Sequence, residues 1–440
     1  MSEIPTDWLD HSARVHPKRV ALSGPHGDDE VSYAELRARA RAMAAALAEG
    51  GVGSGDPVAI DLEAGIPHAV ALHGAILAGA VAQSLPPGGR DGADVAPGAR
   101  YVDAGMVAAA EAAAGTWPTI RRPPREPLTR VLSSGTSGNP KPVELTHANH
   151  LWSALASALK LGTEPGDRWL CCLPLNHVGG QTILLRSALY GTAAEIHPGF
   201  EASRVAEAFE ARRVTVASLV PTQLVRLLDA GAPVEAPRLL LLGGGPLPLD
   251  VLEEAQGRGA TVVQTYGLTE ACSQVCTLTP AEARAHPGSA GKPLLGVEVR
   301  IDDGQILVRG PNVAPGAKAA DGWLHTGDLG RIDDEGFLFL EGRRSDLIVS
   351  GGENVRPERV EDALRSHPGV ADAGVAGEED REWGQRVVAH VVRTGDPTIT
   401  EEEILDHAKR TLARHELPKL VRFRDELPRT ASGKLQRRLL

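Results

Sequence analysis

Short apolar runs that alternate with helix-type segments are the feature that most limits what this chain can fold into. From about residue 128 the runs include RWLCCLPL, VTVASLVP, RLLLLGGGP and ATVVQTYG, each separated from the next by an amphipathic stretch. Strands that alternate with helices favour parallel sheets, because two parallel strands need a crossover connection between them. Residues 30–85 show the same pattern, since a helix-type segment ending in glycine precedes the short strand DPVAIDL.

The pattern changes after about residue 287, where β-type pieces such as VEVRIDDGQILVRG replace the alternation. The final stretch has the pattern of a helix, two strands and a helix near 400–413. We predict an α/β protein with a large N-terminal domain (1–341) of parallel and mixed sheets covered by helices, with a β-rich subdomain. A hinge (342–346) and a small, mobile α+β domain (347–440) follow, and 440 residues can bury more than one core.

Composition and charge exclude several classes of protein. The net charge of −11 argues against a sequence-independent nucleic-acid binder, which needs a basic face. No apolar run approaches the roughly 18 residues of a membrane-spanning helix, and the N-terminus lacks the apolar core of a signal peptide. The four cysteines (Cys171, Cys172, Cys272 and Cys276) fit neither a zinc site nor a disulfide framework. We expect a soluble protein of a reducing compartment, the cytoplasm.

A polar segment, LSSGTSGNPKPVELTH (132–147), follows a predicted strand and precedes a predicted helix. Phosphates bind at such places in α/β proteins, because glycine lets backbone N–H groups approach an anion near a helix N-terminus. The spacing does not fit the G-x-x-x-x-G-K-[ST] phosphate loop, so alone the segment is equally well a solvated turn. Its candidate phosphate ligands are Ser133, Ser134, Gly135, Thr136, Ser137, Gly138 and Lys141.

Four further stretches carry groups suited to a nucleotide: QTYGLTE (264–270), GWLHTGDLG (322–330), GRRSDLIVSGGENVRPERVE (342–361) and LPRTASGKLQRRLL (427–440). Their key residues also have structural interpretations. Asp328 can cap a turn, and Arg343 can be a surface cation. Tyr266 can be a core aromatic, and Lys434 can lie in a frayed terminus. Taken singly, the residues leave these alternatives open.

Together, in this order and at this spacing, the five stretches resemble the motifs of the adenylate-forming superfamily. That superfamily comprises acyl- and aryl-CoA synthetases, luciferases and the adenylation domains of peptide synthetases. The resemblance implies that a carboxylate attacks the α-phosphorus of ATP and that a thiol then displaces AMP from the acyl-adenylate. It also implies that the chain uses ATP, Mg²⁺ and coenzyme A.

The same resemblance assigns roles to residues. Residues 133–141 would grip the β,γ-phosphates, Thr269 would contact the α-phosphate and Glu270 would hold Mg²⁺. Asp328 would accept the ribose hydroxyls, with Arg343 nearby, and Lys434 would reach the reacting carboxylate. The catalytic set is Lys434, Thr269, Glu270 and Lys141. The nucleotide set also includes Gln264, Gly267 and, beside adenine, the backbone of Gly243, Gly244 and Gly245, with Tyr266 stacking on the base.

Lys141 and Lys434 fall in different predicted domains, so the small domain must close over the large one if both lysines serve one ATP. The resemblance implies a rotation about Ser345 between the two half-reactions. Rotation would withdraw Lys434 and bring Gly351 and Gly352 to the thiol. A hinge serine departs from the Asp or Lys of many relatives.

The stretches that would line the acid pocket, 173–191 and 218–228, resemble those of o-succinylbenzoate–CoA ligases of menaquinone biosynthesis. His177 stands where amino-acid-activating relatives carry an amine-binding Asp; it can donate to a carboxylate or pack on a ring, and is equally well a structural histidine. Gly179 stands where aryl ligases commonly carry Ser. The substrate-binding candidates are His177, Gly179 and Gln181.

Three hypotheses follow. The first is an aryl-acid CoA ligase that acts on o-succinylbenzoate. The second is a ligase for another aryl or medium-chain carboxylic acid, or an enzyme that loads a carrier-protein thiol. The third is a catalytically silent nucleotide-binding or interaction protein, against which the charged motif residues argue. Both enzyme hypotheses imply a small carboxylic acid as partner, and the resemblance allows a homodimer.

Overall fold

The structure is a computed structural model of the chain. It describes residues 8–27, 29–89, 94–118, 120, 122–133, 141–211, 213–381, 383–395, 399–430, 433 and 435–440. The chain divides into two compact units. The first unit contains residues 1–299 and 308–324, and the second contains residues 300–307 and 325–440.

The described residues form eleven α-helices and twenty-three strands. The helices are α1 (Trp8–Val15), α2 (Tyr33–Glu49), α3 (Ile66–Leu77), α4 (Ala104–Ala113), α5 (His147–Leu161), α6 (Val178–Tyr190), α7 (Ala202–Glu210), α8 (Pro221–Asp229), α9 (Leu249–Gly257), α10 (Pro357–Arg365) and α11 (Glu401–Ala408). The strands of the first half are β1 (Val20–Ser23), β2 (Glu30–Ser32), β3 (Pro57–Ile60), β4 (Val81–Ser84), β5 (Arg100–Val102), β6 (Pro127–Ser133), β7 (Lys141–Thr146), β8 (Arg168–Cys171), β9 (Ala193–Ile196), β10 (Val216–Leu219) and β11 (Leu239–Leu242). The remaining strands are β12 (Val262–Leu268), β13 (Ser273–Thr277), β14 (Lys292–Pro293), β15 (Glu298–Asp302), β16 (Gln305–Arg309), β17 (Leu324–Ile332), β18 (Leu338–Arg343), β19 (Ile348–Ser350), β20 (Glu353–Val355), β21 (Val370–Asp380), β22 (Gly384–Arg393) and β23 (Leu420–Arg424).

A nine-stranded mixed sheet is the largest element of the first unit, with the order β14-β13-β12-β11-β10-β8-β9-β1-β2. The pairings from β12 through to β1 are parallel, and the sheet becomes antiparallel only at its two edges. All four leucines of β11 are buried, as expected for a central parallel strand covered on both faces. Helices α7, α8 and α9 pack against these strands around Phe209, whose side chain is fully buried.

A five-stranded sheet, ordered β5-β3-β4-β6-β7, is the second sheet of this unit. Its first three pairings are parallel, and β6 and β7 form an antiparallel pair. The sequence pattern did not predict β7, because its first residues are polar. Only Val143, Leu145 and Thr146 of this strand are buried, so it has too few apolar positions to be recognised before its pairing with β6 is known.

The second unit has its own core. Strands β20, β19, β22 and β21 form one sheet, and β23 pairs in parallel with β22. Helices α10 and α11 supply Val360, Leu364 and Ile404 to the core of this sheet. The antiparallel pair β17–β18, in the sheet ordered β15-β16-β17-β18, carries the motif residues of 322–343.

The predicted α/β fold class, with large sheets in the N-terminal part and a smaller C-terminal α+β unit, is confirmed. The predicted boundaries at 341 and 347, with a hinge over 342–346, stay a prediction, because compact packing in one conformation does not define a rotation axis. None of the described helices is long and apolar enough to cross a membrane.

Candidate active site

The carboxyl ends of β8, β10, β11 and β12 meet at one edge of the nine-stranded sheet. These strands are parallel and in register, with Leu219 beside Leu242 and Leu242 beside Gln264. Ligands of open α/β sheets bind outside the carboxyl ends of the strands, where the connecting loops leave a crevice. The predicted site residues of 173–181, 243–245 and 264–270 all follow or end these strands.

The glycine run that follows β11 keeps backbone accessible at this edge. The amide of Gly243 donates to the Leu219 carbonyl at 3.2 Å, which continues the sheet for one residue. Gly244 has a φ of +83°, a conformation that favours glycine, and a Cβ atom there would lie 3.2 Å from Val220 Cγ1. Gly244 and Gly245 are exposed, so this backbone offers a flat, side-chain-free surface of the kind that a planar base needs.

Strand β12 turns back into β13 through a tight, strained connection. Thr269 and Glu270 lie in a single 3-10 turn (Thr269–Ala271) and are half-buried. Cys272 and Ser273 then adopt φ values of +51° and +85°, and each non-glycine residue in this region costs of order 1–3 kcal/mol. Tyr266 is buried, which agrees both with a core aromatic and with the predicted place beside adenine.

Buried polar side chains hold this connection, and the sequence did not reveal them. Ser153 Oγ of α5 donates to the Cys272 carbonyl at 2.6 Å, and Arg186 of α6 donates to Ser153 Oγ at 2.9 Å. Asn312 Nδ2 donates to the Ala271 carbonyl at 3.0 Å. Burial lowers the pKa of Arg186. Helical periodicity can place Ser153 and Arg186 on inward faces, but it cannot identify the carbonyl that they support.

The base of the polar loop is fixed by the β6–β7 pair. Ser133 lies opposite Lys141 in the antiparallel register, and Ser133 is buried whereas Lys141 is exposed. The two residues at which the predicted phosphate loop begins and ends are therefore neighbours. The predicted ligands Ser134, Gly135, Thr136, Ser137 and Gly138 lie outside the described residues, as does Lys434.

The predicted acid-binding residues lie at the N-terminus of α6. His177 is the N-cap residue, and Gly180 packs so tightly that a Cβ atom there would lie 2.5 Å from the Pro174 carbonyl oxygen. Gln181 is only 1% exposed. Among the residues that the structure describes, neither Nε2 nor Oε1 of Gln181 has a hydrogen-bond partner. A buried amide without partners costs about 1–3 kcal/mol, so this side chain fits a group that a polar ligand would satisfy.

Within the second unit, Asp328 and Arg343 form an ion pair. They face each other in the β17–β18 register, and Arg343 Nε lies 2.9 Å from Asp328 Oδ1. Asp328 is 8% exposed, and its backbone amide donates to Thr326 Oγ1. Arg343 thus orients a carboxylate, the kind of group that can accept from two vicinal hydroxyls. The sequence predicted both residues, but not that one pairs directly with the other.

The predicted hinge and thiol-side residues also lie in this unit. Ser345 Oγ donates to Asp346 Oδ1 at 3.0 Å. Gly351 and Gly352, with φ values of +62° and +86°, form the two-residue turn between β19 and β20, a turn in which both central residues need positive φ. Their glycine identity therefore has a structural cause that is independent of any contact with a thiol.

Sequence comparison decides which family this arrangement belongs to. The family model described as AMP-binding enzyme matches residues 9–93 and 95–316, and the AMP-binding enzyme C-terminal domain matches residues 359–434. The chain belongs to the AMP-binding enzyme family. The predicted membership of the adenylate-forming enzymes is confirmed, and with it the class of acid–thiol ligase.

Individual relatives agree with this membership over the whole chain. The 2-succinylbenzoate–CoA ligase of Bacillus cereus (strain AH820) is 38% identical over 479 aligned residues, which cover 100% of this chain and 98% of the relative. The o-succinylbenzoate CoA synthetase (MenE) from Bacillus subtilis, solved in complex with the acyl-adenylate intermediate OSB-AMP, superposes with a TM-score of 0.89 at 38% identity, covering 100% of this chain and 98% of that one. ATP-bound MatB from Rhodopseudomonas palustris superposes with a TM-score of 0.90 at 28% identity, covering 99% and 98%.

Because β12 and β13 approach each other closely at Gly267, we predict that this position does not tolerate a side chain. A Cβ atom at position 267 would lie 1.6 Å from the Ser273 carbonyl oxygen, so Gly267→Ala must push the strained connection away. We expect the free energy of unfolding to fall by about 1–3 kcal/mol or more, and ATP affinity to fall with it. Denaturant titration and calorimetric ATP titration measure the two effects.

Gly257→Ala is the matched control, because a Cβ atom there has no described atom within 4 Å and the residue ends helix α9. This variant should leave ATP affinity unchanged and stability unchanged or slightly higher. Wild-type stability and affinity in Gly267→Ala would contradict the assigned geometry.

The cysteines make a second prediction. All four are free and buried; burial raises the pKa of Cys172 and of Cys272 to about 12, and raises those of Cys171 and Cys276 as well. Because the thiolate is the reactive form, we expect a disulfide reagent at pH 8 to modify the native protein at least about 100-fold more slowly than the unfolded protein. Rapid modification of any thiol in the native state would refute this.

Proposed function

We propose that the chain is an AMP-forming o-succinylbenzoate–CoA ligase of menaquinone biosynthesis. In the first step a carboxylate oxygen of the acid bonds to the α-phosphorus of ATP and pyrophosphate leaves. In the second step the sulfur of coenzyme A bonds to the acyl carbon and AMP leaves. The observation that carries this proposal is 38% identity to a 2-succinylbenzoate–CoA ligase across the whole chain, supported by the similarity to the OSB-AMP complex.

The nucleotide is assigned to residues that the sequence and the geometry both favour. We assign the adenine to the backbone of 243–245 and to Tyr266, and the ribose hydroxyls to Asp328, which Arg343 orients at 2.9 Å. We assign the α-phosphate to Thr269 and Glu270, which lie in the single turn Thr269–Ala271. Glu270 fits Mg²⁺, since this ion is ordinarily bound by one or two carboxylates together with phosphate oxygens and water. The ion would screen the phosphate charge.

Charge is the main obstacle in the first step, because a carboxylate must approach a polyanion. Fixed donors and cations lower such a barrier when they are positioned before the reaction begins. We assign this role to Lys141 at the exit of the phosphate loop and to Lys434. A rotation of the small domain about Ser345, over the hinge 342–346, would then exchange Lys434 for Gly351 and Gly352 before the thiol attacks.

The thiol must come from outside the protein. The four cysteines are buried, and burial raises their pKa values, so none of them suits an acyl-carrying thioester. This supports coenzyme A as the acceptor. Reduced, buried cysteines also fit the reducing cytoplasm that we propose as the location.

We assign the acid to the N-terminus of α6, at His177, Gly179 and Gln181. o-Succinylbenzoate combines an aromatic ring with a ketone and a second carboxylate, so its pocket needs donors as well as apolar contacts. The buried amide of Gln181, whose Nε2 lacks a partner among the described residues, supplies one such donor. A second carboxylate in the substrate is also the reason that a histidine suits this place better than an aspartate.

Gly179 favours a second candidate function. Aryl ligases commonly place a serine hydroxyl at this position, and glycine removes that donor while adding space. The alternative is therefore a CoA ligase for another aryl or medium-chain acid, or an enzyme that loads a carrier-protein thiol. A homodimer, as in related enzymes, is part of the proposal in either case.

A panel of acids tests the function. With ATP, Mg²⁺ and coenzyme A, we expect o-succinylbenzoate to give faster AMP release than benzoate, octanoate or malonate by at least about tenfold in kcat/KM. Preference for another acid would favour the second candidate, and adenylate formation without use of coenzyme A would favour carrier loading. No pyrophosphate release with any acid would reject a ligase function.

Lys434→Ala tests whether Lys434 acts in adenylate formation and not in thioester formation. We expect adenylate formation to fall by about 100-fold or more, because one positioned charge is lost from the transition state. Thioester formation from a supplied adenylate should be largely spared. Lys409→Ala, which removes an exposed lysine of the same unit, should leave both rates unchanged. Equal loss of both half-reactions in Lys434→Ala would refute the two-conformation mechanism.

A further inference from the structure

A cluster of four charged side chains fixes the C-terminal tail within the second unit. Arg437 forms a two-bond pair with Glu361, from Nε to Oε1 at 3.0 Å and from Nη2 to Oε2 at 2.8 Å. Its Nη1 atom lies 2.7 Å from Asp346 and 3.0 Å from Glu358. Glu361 is 3% exposed and also accepts from the Val375 amide. The cluster therefore links the tail to α10, to β21 and to Asp346.

Two of these contacts reach opposite ends of the predicted hinge (342–346). Asp346 is its last residue. At its first residue, a Cβ atom on Gly342 would lie 2.4 Å from Glu358 Oε2, and Gly342 has a φ of +118°. The carboxylate of Glu358 therefore packs directly on the backbone of Gly342. Arg437 thus contacts Asp346 at one end of the segment about which the small domain would turn. It also contacts Glu358, which packs on Gly342 at the other end.

The charge of the cluster makes it dependent on Arg437. One guanidinium faces three carboxylates, and burial raises the pKa of Glu358 to about 7 while Arg437 opposes that rise. Within the described part of the chain, Glu358 Oε2 has no hydrogen-bond partner. Removing the cation would leave like charges close together and Glu361 buried without its partner, which is the costly way to break such a pair.

A second arginine, Arg429, binds residues on the N-terminal side of position 434. Arg429 lies 2.6 Å from Asp372 and donates to the Gly433 carbonyl at 2.9 Å. The Gln436 amide donates to the Pro428 carbonyl at 2.9 Å, so residues 428 and 436 are held together. Leu435 and Leu440 of the tail lie over Gly374 of β21, where a Cβ atom would come within 3.1 Å of each side chain. The residues on both sides of Lys434 are thereby fixed to the second unit.

We propose that Arg437 is a positioning residue that ties the lysine-bearing tail to the hinge, so that the tail and the hinge segment move as one body. The proposal rests on the function proposed above. Arg437 touches neither acid nor nucleotide in this role. It acts by fixing the backbone three residues after Lys434 to Asp346 and Glu358, and a reacting group that is misplaced by about 1 Å can lose about 100-fold in rate.

Kinetics of the two half-reactions test the role in adenylation. In the full-length protein, Arg437→Ala should lower acid-dependent adenylate formation by about tenfold or more, mainly in kcat. Thioester formation from a supplied adenylate should stay within about threefold of wild type, because that step does not use Lys434. Arg437→Lys, which keeps the charge but loses the two-bond geometry, should give an intermediate loss. The matched control is Arg438→Ala, since Arg438 is the exposed neighbour in the same tail; it should match wild type in both rates.

Hydrogen exchange tests the mechanical link without any activity. Arg437→Ala should raise hydrogen exchange in 342–346 and in 428–440 together. Asp346→Asn keeps the Arg437–Glu361 pair. This variant should raise exchange in 342–346 and should lower adenylate formation while it spares thioester formation. Unchanged exchange in 342–346, or equal loss of both half-reactions, would overturn the role of Arg437. If wild type adenylates no acid while the exchange pattern is as expected, the proposed function fails and the link between tail and hinge stands.

Discussion

Parallel hydrogen bonding among β8, β10, β11 and β12 is the constraint on which the candidate active site depends. Parallel strands end at the same edge of a sheet, so the segments that follow these four strands lie close together although they are far apart in sequence. The observed register pairs Leu219 with Leu242 and Leu242 with Gln264, and β11 is buried along its whole length. Loops that carry no regular structure of their own thereby begin from fixed points.

Buried polar side chains also fix the connection between β12 and β13 at this edge of the sheet. The connection that carries Thr269 and Glu270 contains two consecutive non-glycine residues with positive φ, a conformation that persists only where the surroundings enforce it. Ser153 and Asn312 supply that enforcement by donating to the successive carbonyls of Cys272 and Ala271, and Arg186 donates to the Ser153 hydroxyl behind them. A turn held in this way presents its hydroxyl and carboxylate without reorganisation, which is the property that electrostatic stabilisation of a transition state needs.

The sequence was sufficient for features that are local and insufficient for features that depend on a partner. Alternating strands and helices predicted the parallel sheets, whereas the glycine run after RLLLL was assigned to the nucleotide only through the family resemblance. Strand β7 was missed because Lys141 and Pro142 begin it and only its pairing with β6 identifies it as a strand. The requirement for glycine at position 267 follows from β13, which lies against it. Ser153 and Arg186 could not be recognised, because no periodicity specifies which backbone carbonyl a buried side chain will support.

The two units position their candidate functional groups through different interactions. In the first unit, groups are placed by the ends of hydrogen-bonded strands, which hold their positions as long as the sheet exists. In the second unit, ion pairs place several groups. Asp328 pairs with Arg343 across a hairpin, and Arg437 pairs with the carboxylates of α10 and of Asp346 in the predicted hinge segment. Ion pairs with two-bond geometry fix direction as well as distance, so they can hold a short tail against the unit. In the proposed rotation about 342–346, the small domain must keep its own groups in fixed relation to that segment, and an ion cluster that includes Asp346 and Arg437 provides such a relation.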